Sequence, residues 1–406
     1  MANVFENLQM AGVSIWLDDL SRARIASGDL RQSVKSGQVV GITTNPTIFA
    51  RSISDGSGYN DQIRELALRG TAIGEAVRLL TAWDVRAACD LLRPLFDQSG
   101  TKDGRVSIEV DPRISADPER TAAEARGLWW LVDRPNLFIK IPATQAALPA
   151  ITACTAAGIS VNVTLIFSID RYRAVLNAYM TGLEQRTASR EELTGIESVA
   201  SFFISRVDTE VDQRLAKLAN AKAKELHGQA ALANARLAYE VYEDATRSDR
   251  WRALAAEGGS MQRLLWASTG VKDKAFAATR YVTELVAPNT VNTMPEATLQ
   301  ALSHLEATTP DTISRRYTEA RTIVHDLAEL GIDLVNVADV LEHDGIASFI
   351  QSWNELIASV EQQLKSAGAE VILAGAVRPA NGSGTGTGFS APAAAAPAET
   401  SKGALA

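Results

Sequence analysis

Apolar and polar positions alternate in eight short stretches of this 406-residue chain, each bounded by turn-forming residues or a helical pattern. In SIWLDDLSR, 14–22, Ser14, Trp16 and Asp18 fall on one face and Ile15 and Leu17 on the other. VVGITTNPTIF, 39–49, brings Thr43, Thr44 and Asn45 to the strand end before Pro46. RVSIEVDPR, 105–113, sets Val106, Ile108 and Val110 opposite Ser107 and Glu109, and NLFIKIPAT, 136–144, sets Leu137, Ile139 and Ile141 opposite Phe138 and Lys140. ISVNVTLIFS, 159–168, opposes Val161, Val163 and Leu165 to Asn162 and Thr164. ESVASFFISRVD, 197–208, carries Ser201 and Ser205 on one face with Arg206 at its exit; SMQRLLWASTGVKD, 260–273, ends its strand at Ser268, and APNTVNTMPEAT, 287–298, carries Asn292. Helical periodicity fills the intervals. It covers 60–98 with breaks at Gly70 and Gly74, the run with Pro118 in its first turn, 170–186, and 208–257 with an interruption near Gly228. It returns over 310–374.

Eight strands separated by helices predict an α/β fold, a (β/α)8 TIM-type barrel with additional C-terminal helices. Residues 1–376 form one such domain in this reading, and 377–406 form a low-complexity Gly, Ser, Thr, Ala and Pro tail that is disordered because it cannot build a core. The polar residues at the strand ends then converge on the C-terminal face, where barrels of this kind place their sites.

Lys140 is the position that needs a reason. Apolar residues flank it on both faces of a short strand, and an unpaired ammonium is costly to bury. Burial that pushes an amine towards neutrality makes it a nucleophile able to condense with a carbonyl. The alternatives are a lysine that snorkels out at the strand end and one held in a structural ion pair. Asp18 is open to two readings as well, a helix cap or an acid/base group. Together Lys140, Asp18, Glu109 and Thr164 supply an amine, two carboxylates and a hydroxyl on four strands, the set that imine chemistry with carbon–carbon cleavage requires.

The net charge of −8 argues against nucleic-acid or anionic-membrane partners, and no stretch approaches the ~20 apolar residues of a membrane span. The first ten residues lack a basic stretch followed by an apolar run, and Cys89 and Cys154 sit among small and apolar neighbours, which predicts a cytoplasmic protein without disulfides. The four histidines have no metal-binding spacing, so no metal is expected.

Across residues 13 to 300 the segments SIWLDDLSR, GITTNPTIF, VSIEVDPR, NLFIKIPAT, ISVNVTLIFS, SVASFFISRVD, LLWASTGVKD and APNTVNTMP resemble the transaldolase family. That resemblance implies transfer of a dihydroxyacetone unit between phosphorylated sugars, in the non-oxidative pentose phosphate pathway and without a cofactor. It implies Lys140 as Schiff-base lysine, Asp18 as acid/base for the carbon–carbon step, and Glu109 with Thr164 around a catalytic water. Asn45, Asn162 and Ser201 hold the hydroxyls of the three-carbon unit, and Arg206 and Ser268 meet the phosphate. After Ser268 the family pattern of Ser, any residue, Arg is broken by Thr269 and Gly270, which leaves Lys272 as the expected second cation. Rival readings are a Schiff-base fructose-6-phosphate aldolase and a non-catalytic sugar-phosphate binding barrel in which Lys140 merely pairs with Glu109. Monomer and homodimer are both left open.

Overall fold

Strands Val13–Leu17 (β1), Gly41–Ile42 (β2), Arg105–Glu109 (β3), Leu137–Pro142 (β4), Val161–Ile166 (β5), Ser198–Phe203 (β6), Arg263–Ala267 (β7) and Thr290–Met294 (β8) all run parallel. They close in sequence order, with β8 returning to pair with β1. The computed structural model describes residues 3–56, 58–218 and 220–376; the tail expected over 377–406 lies outside the described residues.

The faces read from the alternation are the faces of the barrel. Phe138 of β4 brings its ring within 6.0 Å of Trp16 of β1. Two strands lie between these two in the sheet, so only the barrel interior allows the contact. The set containing Phe138 and Lys140 therefore points inward, leaving Leu137, Ile139 and Ile141, all buried, for the helical layer. A polar floor closes the N-terminal end: Arg263 donates to Ser14 Oγ at 2.8 Å, and Ser14 donates to Asp103 at 2.7 Å.

Helices begin abruptly where strands end because the sequence supplies caps there. Asn45 accepts from the Ile48 N–H to start Pro46–Ser54, with Pro46 in the first turn, and Ser168 accepts from the Arg171 N–H to start Ile169–Ala188. This shortens several expected strands. Residues 46–49 are helical rather than extended, β6 gives way to the helix Ser205–Ala216, which carries Arg206 on its first turn, and β8 gives way to Glu296–Ser303. Gly70, at φ +62°, does end the helix Asn60–Leu68, whereas Gly74 lies inside the first turn of Ile73–Gln98.

The helical pattern at the end of the chain resolves into Tyr317–Glu329 and a 43-residue helix, Leu334–Ala376. The latter crosses the C-terminal side of the barrel. Its Ser352 shares a 2.8 Å hydrogen bond with Thr47, its Gln363 donates to the Ile53 carbonyl at 2.6 Å, and a side chain at Gly345 would come within 3.1 Å of Leu165 at the end of β5. Among the described residues no helix is long and apolar enough to cross a membrane, and Cys89 and Cys154 are free and buried.

Candidate active site

A cavity of about 1100 Å³ opens at the C-terminal ends of the strands, and Asp18, Asn45, Lys140, Thr164, Ser201, Arg206 and Ser268 all reach its wall. Register brings the charged core of the site together. Lys140 is level with Glu109 of β3 on one side and with Asn162 of β5 on the other. Its Nζ stands 2.9 Å from Glu109 Oε1 and donates to the Thr44 carbonyl at 2.6 Å, with both side chains about 6% exposed. The ammonium is thus buried and partnered, and its long stem carries it up to the cavity floor. Asn162, shorter and level with it, stays one layer below.

That layer is a relay of short polar side chains. Asn162 donates to Ser107 Oγ at 3.0 Å and accepts from Ser201 Oγ at 2.7 Å. Ser201 reaches the cavity wall, while Asn162 and Glu109 lie directly behind it, Asn162 hydrogen-bonded to Ser201 and Glu109 paired with Lys140. Thr164 is the reverse case: its hydroxyl is buried without a hydrogen-bond partner at the edge of the cavity. The following residue, Leu165, holds φ +62° beside a register irregularity between β5 and β6, a local distortion that aims the end of β5.

Asp18 does not cap the next helix; Ser21 does, accepting from the Arg24 N–H. Asp18 instead accepts from Thr43 Oγ1 at 2.8 Å, and Thr43 also shares a 2.5 Å contact with Thr293 Oγ1 of β8. Burial pushes the Asp18 carboxyl above its ordinary value, while the charge of Lys140 and hydrogen bonds from Thr43 and Asn45 pull it back. Asn45 therefore has two tasks, its oxygen capping a helix and its amide facing Asp18.

On the far side of the mouth Arg206 lies over the Phe203 ring at 5.4 Å, its guanidinium pKa lowered by burial. Ser268, at φ +56°, shares a 2.9 Å hydrogen bond with Ser205 at the start of the same helix. Lys272 does not join them. Thr269 is anchored to the Thr293 carbonyl at 2.7 Å, and the chain beyond it leaves the mouth. Lys272 lines a separate cavity of about 350 Å³ with Asp208, Asp212, His227 and Asp273. Three groups that sequence reading missed do line the mouth: Arg24, held by Asp19 at 3.0 Å and Glu296 at 2.9 Å; Arg51 on Pro46–Ser54; and Ser348 with Phe349 on the C-terminal helix. A helical pattern announces the last two only as part of an amphipathic face. Among the described residues no set of His, Cys, Asp and Glu side chains is arranged to hold a metal ion.

Fold and site together define a (β/α)8-barrel protein built around a buried lysine, two carboxylates and a set of hydroxyls at the C-terminal mouth. A family model described as Transaldolase/Fructose-6-phosphate aldolase matches residues 15–360, and the chain belongs to that family. A transaldolase of Parafrankia sp. (strain EAN1pec) is 56% identical over 369 residues, covering 91% of this chain and 100% of the relative. A transaldolase of Thermobifida fusca (strain YX) is 55% identical over 364 residues, 90% of this chain and 99% of the relative. Transaldolase 2 of Streptomyces coelicolor is 54% identical over 365 residues, 90% of this chain and 98% of the relative.

Proposed function

We propose that this protein is a transaldolase, moving a dihydroxyacetone unit from a ketose phosphate such as fructose 6-phosphate or sedoheptulose 7-phosphate to an aldose phosphate through an imine on Lys140. The single observation that carries the reading is Lys140 itself, buried at the mouth with a carboxylate 2.9 Å from its nitrogen and open cavity beside it. Full-length relatives named Transaldolase support the transfer reaction.

Proton transfer from Lys140 to Glu109 leaves a neutral amine, which adds to the C2 carbonyl of the open-chain ketose. Loss of the resulting hydroxyl as water gives the iminium, with Thr164 and Glu109 holding that water. Asp18 removes the proton of the C4 hydroxyl; the C3–C4 bond breaks, its electrons enter the iminium, and the shortened aldose phosphate leaves. The enamine left on Lys140 then adds to the acceptor aldehyde, and the steps run in reverse. Ser201, oriented by Asn162, and the amide of Asn45 hold the three-carbon unit. Arg206 and Ser268 receive the phosphate. The reading places the enzyme in the non-oxidative pentose phosphate pathway and, with both cysteines free and buried, in the cytoplasm.

The test is acceptor dependence. With fructose 6-phosphate alone, glyceraldehyde 3-phosphate should appear in an amount near that of the enzyme and stop. Adding erythrose 4-phosphate should then sustain turnover. Sustained release of free dihydroxyacetone without acceptor would make this an aldolase, and no reaction in either condition would make it a sugar-phosphate binding protein.

A further inference from the structure

Thr44 touches both the reacting lysine and its carboxylate partner. Its carbonyl accepts from Lys140 Nζ at 2.6 Å, and its hydroxyl oxygen lies 2.8 Å from the Ser107 carbonyl and 2.9 Å from Glu109 Oε2. A hydroxyl has one hydrogen, so it cannot donate to both oxygens at once. Two arrangements satisfy the geometry. With Glu109 as a carboxylate, Thr44 donates to Oε2. With Glu109 as a carboxylic acid whose proton sits on Oε2, the oxygen facing Thr44, Oε2 donates to Thr44 Oγ1, and Thr44 turns its hydrogen to the Ser107 carbonyl. Thr44 is 0% and Glu109 6% exposed, so in either arrangement the buried groups depend on each other for their hydrogen bonds.

We propose that Thr44 is a positioning residue for the water-handling step, rotating its hydroxyl between Ser107 and Glu109 as Glu109 gains and loses a proton. This rests on the reading that Lys140 forms the imine and Glu109 manages the water. When the carbinolamine loses water, the Glu109 acid passes its proton from Oε2 to the departing hydroxyl while Thr44 turns its hydrogen back to Oε2, the C2–O bond breaks with its electron pair on oxygen, and the nitrogen lone pair forms the iminium. When the imine is hydrolysed, the Glu109 carboxylate takes a proton from the incoming water as its oxygen bonds to C2. One proton moves in each direction. Thr44 follows by rotation about its Cβ–Oγ1 bond, breaking no covalent bond. Its backbone thereby fixes the amine while its side chain stabilises either state of the acid.

The experiment is a quenched-flow measurement of imine formation with fructose 6-phosphate, each time point trapped with borohydride, on wild type, Thr44→Val, Thr44→Ser, Glu109→Gln and the Thr44→Val/Glu109→Gln double variant. Thr44→Val should slow imine formation roughly tenfold to a hundredfold, the loss expected for a hydrogen bond to a charged group. Serine should restore the rate, and valine should add less than about twofold on the Glu109→Gln background, because interaction through a shared partner is not additive. If valine does not fold, Thr44→Ala takes its place in the same cycle. A rate equal to wild type in valine or alanine, a serine variant as slow as either, or full multiplicative losses in the double variant would each overturn the proposal. Failure of the underlying reading looks different: wild type itself would trap nothing on Lys140.

Discussion

Replacing Asp18 with Asn should separate the two halves of the reaction. The amide oxygen can still accept from Thr43 Oγ1, now 2.8 Å from the carboxylate, so the side chain should keep its place. What it loses is the ability to take a proton from the C4 hydroxyl. Positioned general bases contribute about 10² to 10⁴ in rate, which corresponds to ~3–5 kcal/mol of barrier. Borohydride trapping should therefore proceed near the wild-type rate while glyceraldehyde 3-phosphate release falls by that factor. The pH profile should change with it. Because burial raises the Asp18 carboxyl above its ordinary value, wild-type turnover should fall with decreasing pH along a limb that lies above the usual carboxylate range, and the limb should vanish in the variant. Stability carries the opposite sign. A carboxyl with a raised folded pKa binds its proton more tightly when folded, so the protein loses stability as pH rises from the ordinary carboxylate value through the raised one. Asp18→Asn should remove that loss and melt at or above the wild-type temperature at neutral pH. A variant with unchanged product release, or one that forms no imine, would refute the assignment.

Three further substitutions probe the surrounding frame. Arg206→Ala should raise KM for fructose 6-phosphate at least tenfold and leave reaction of unphosphorylated fructose almost unchanged, while Lys272→Ala, in its separate cavity, should alter neither; equal effects of Arg206→Ala on both substrates would remove that residue from phosphate binding. Gly41→Ala would put a methyl group 2.5 Å from the Trp16 indole and should cost about 1–3 kcal/mol, read as a lower midpoint in denaturant at constant slope. Phe349→Ala opens the cavity wall formed by the C-terminal helix and should increase release of free dihydroxyacetone relative to transfer several-fold; an unchanged ratio would show that this helix does not restrict water.

Lys140 was legible because a charge interrupting a short apolar strand has few physical explanations, and two-residue alternation assigns its neighbours to faces without further information. The barrel was legible for the same reason, repeated eight times. Depth along the barrel axis was not. Alternation puts Asn162 and Thr164 on one face, yet only register and side-chain length show that Asn162 lies below the cavity and Thr164 beside it. Proximity in sequence also misled at Lys272, because the left-handed turn at Ser268 and the anchor from Thr269 to Thr293 carry the chain away within four residues. Arg51 and Phe349 occupy ordinary helical patterns. A helix's apolar stripe says that it packs without saying on what, and contacts such as Thr47 to Ser352, 305 residues apart, have no local signature.

The most direct test of the account is to locate the covalent bond. Incubating the protein with fructose 6-phosphate, reducing with borohydride and mapping the modified peptide should place a single three-carbon adduct on Lys140, with none formed by Lys140→Met. The untreated complex should pass its three-carbon unit to erythrose 4-phosphate before reduction and lose the adduct. An adduct on a different lysine, an adduct that the acceptor cannot remove, or no adduct at all would contradict the account.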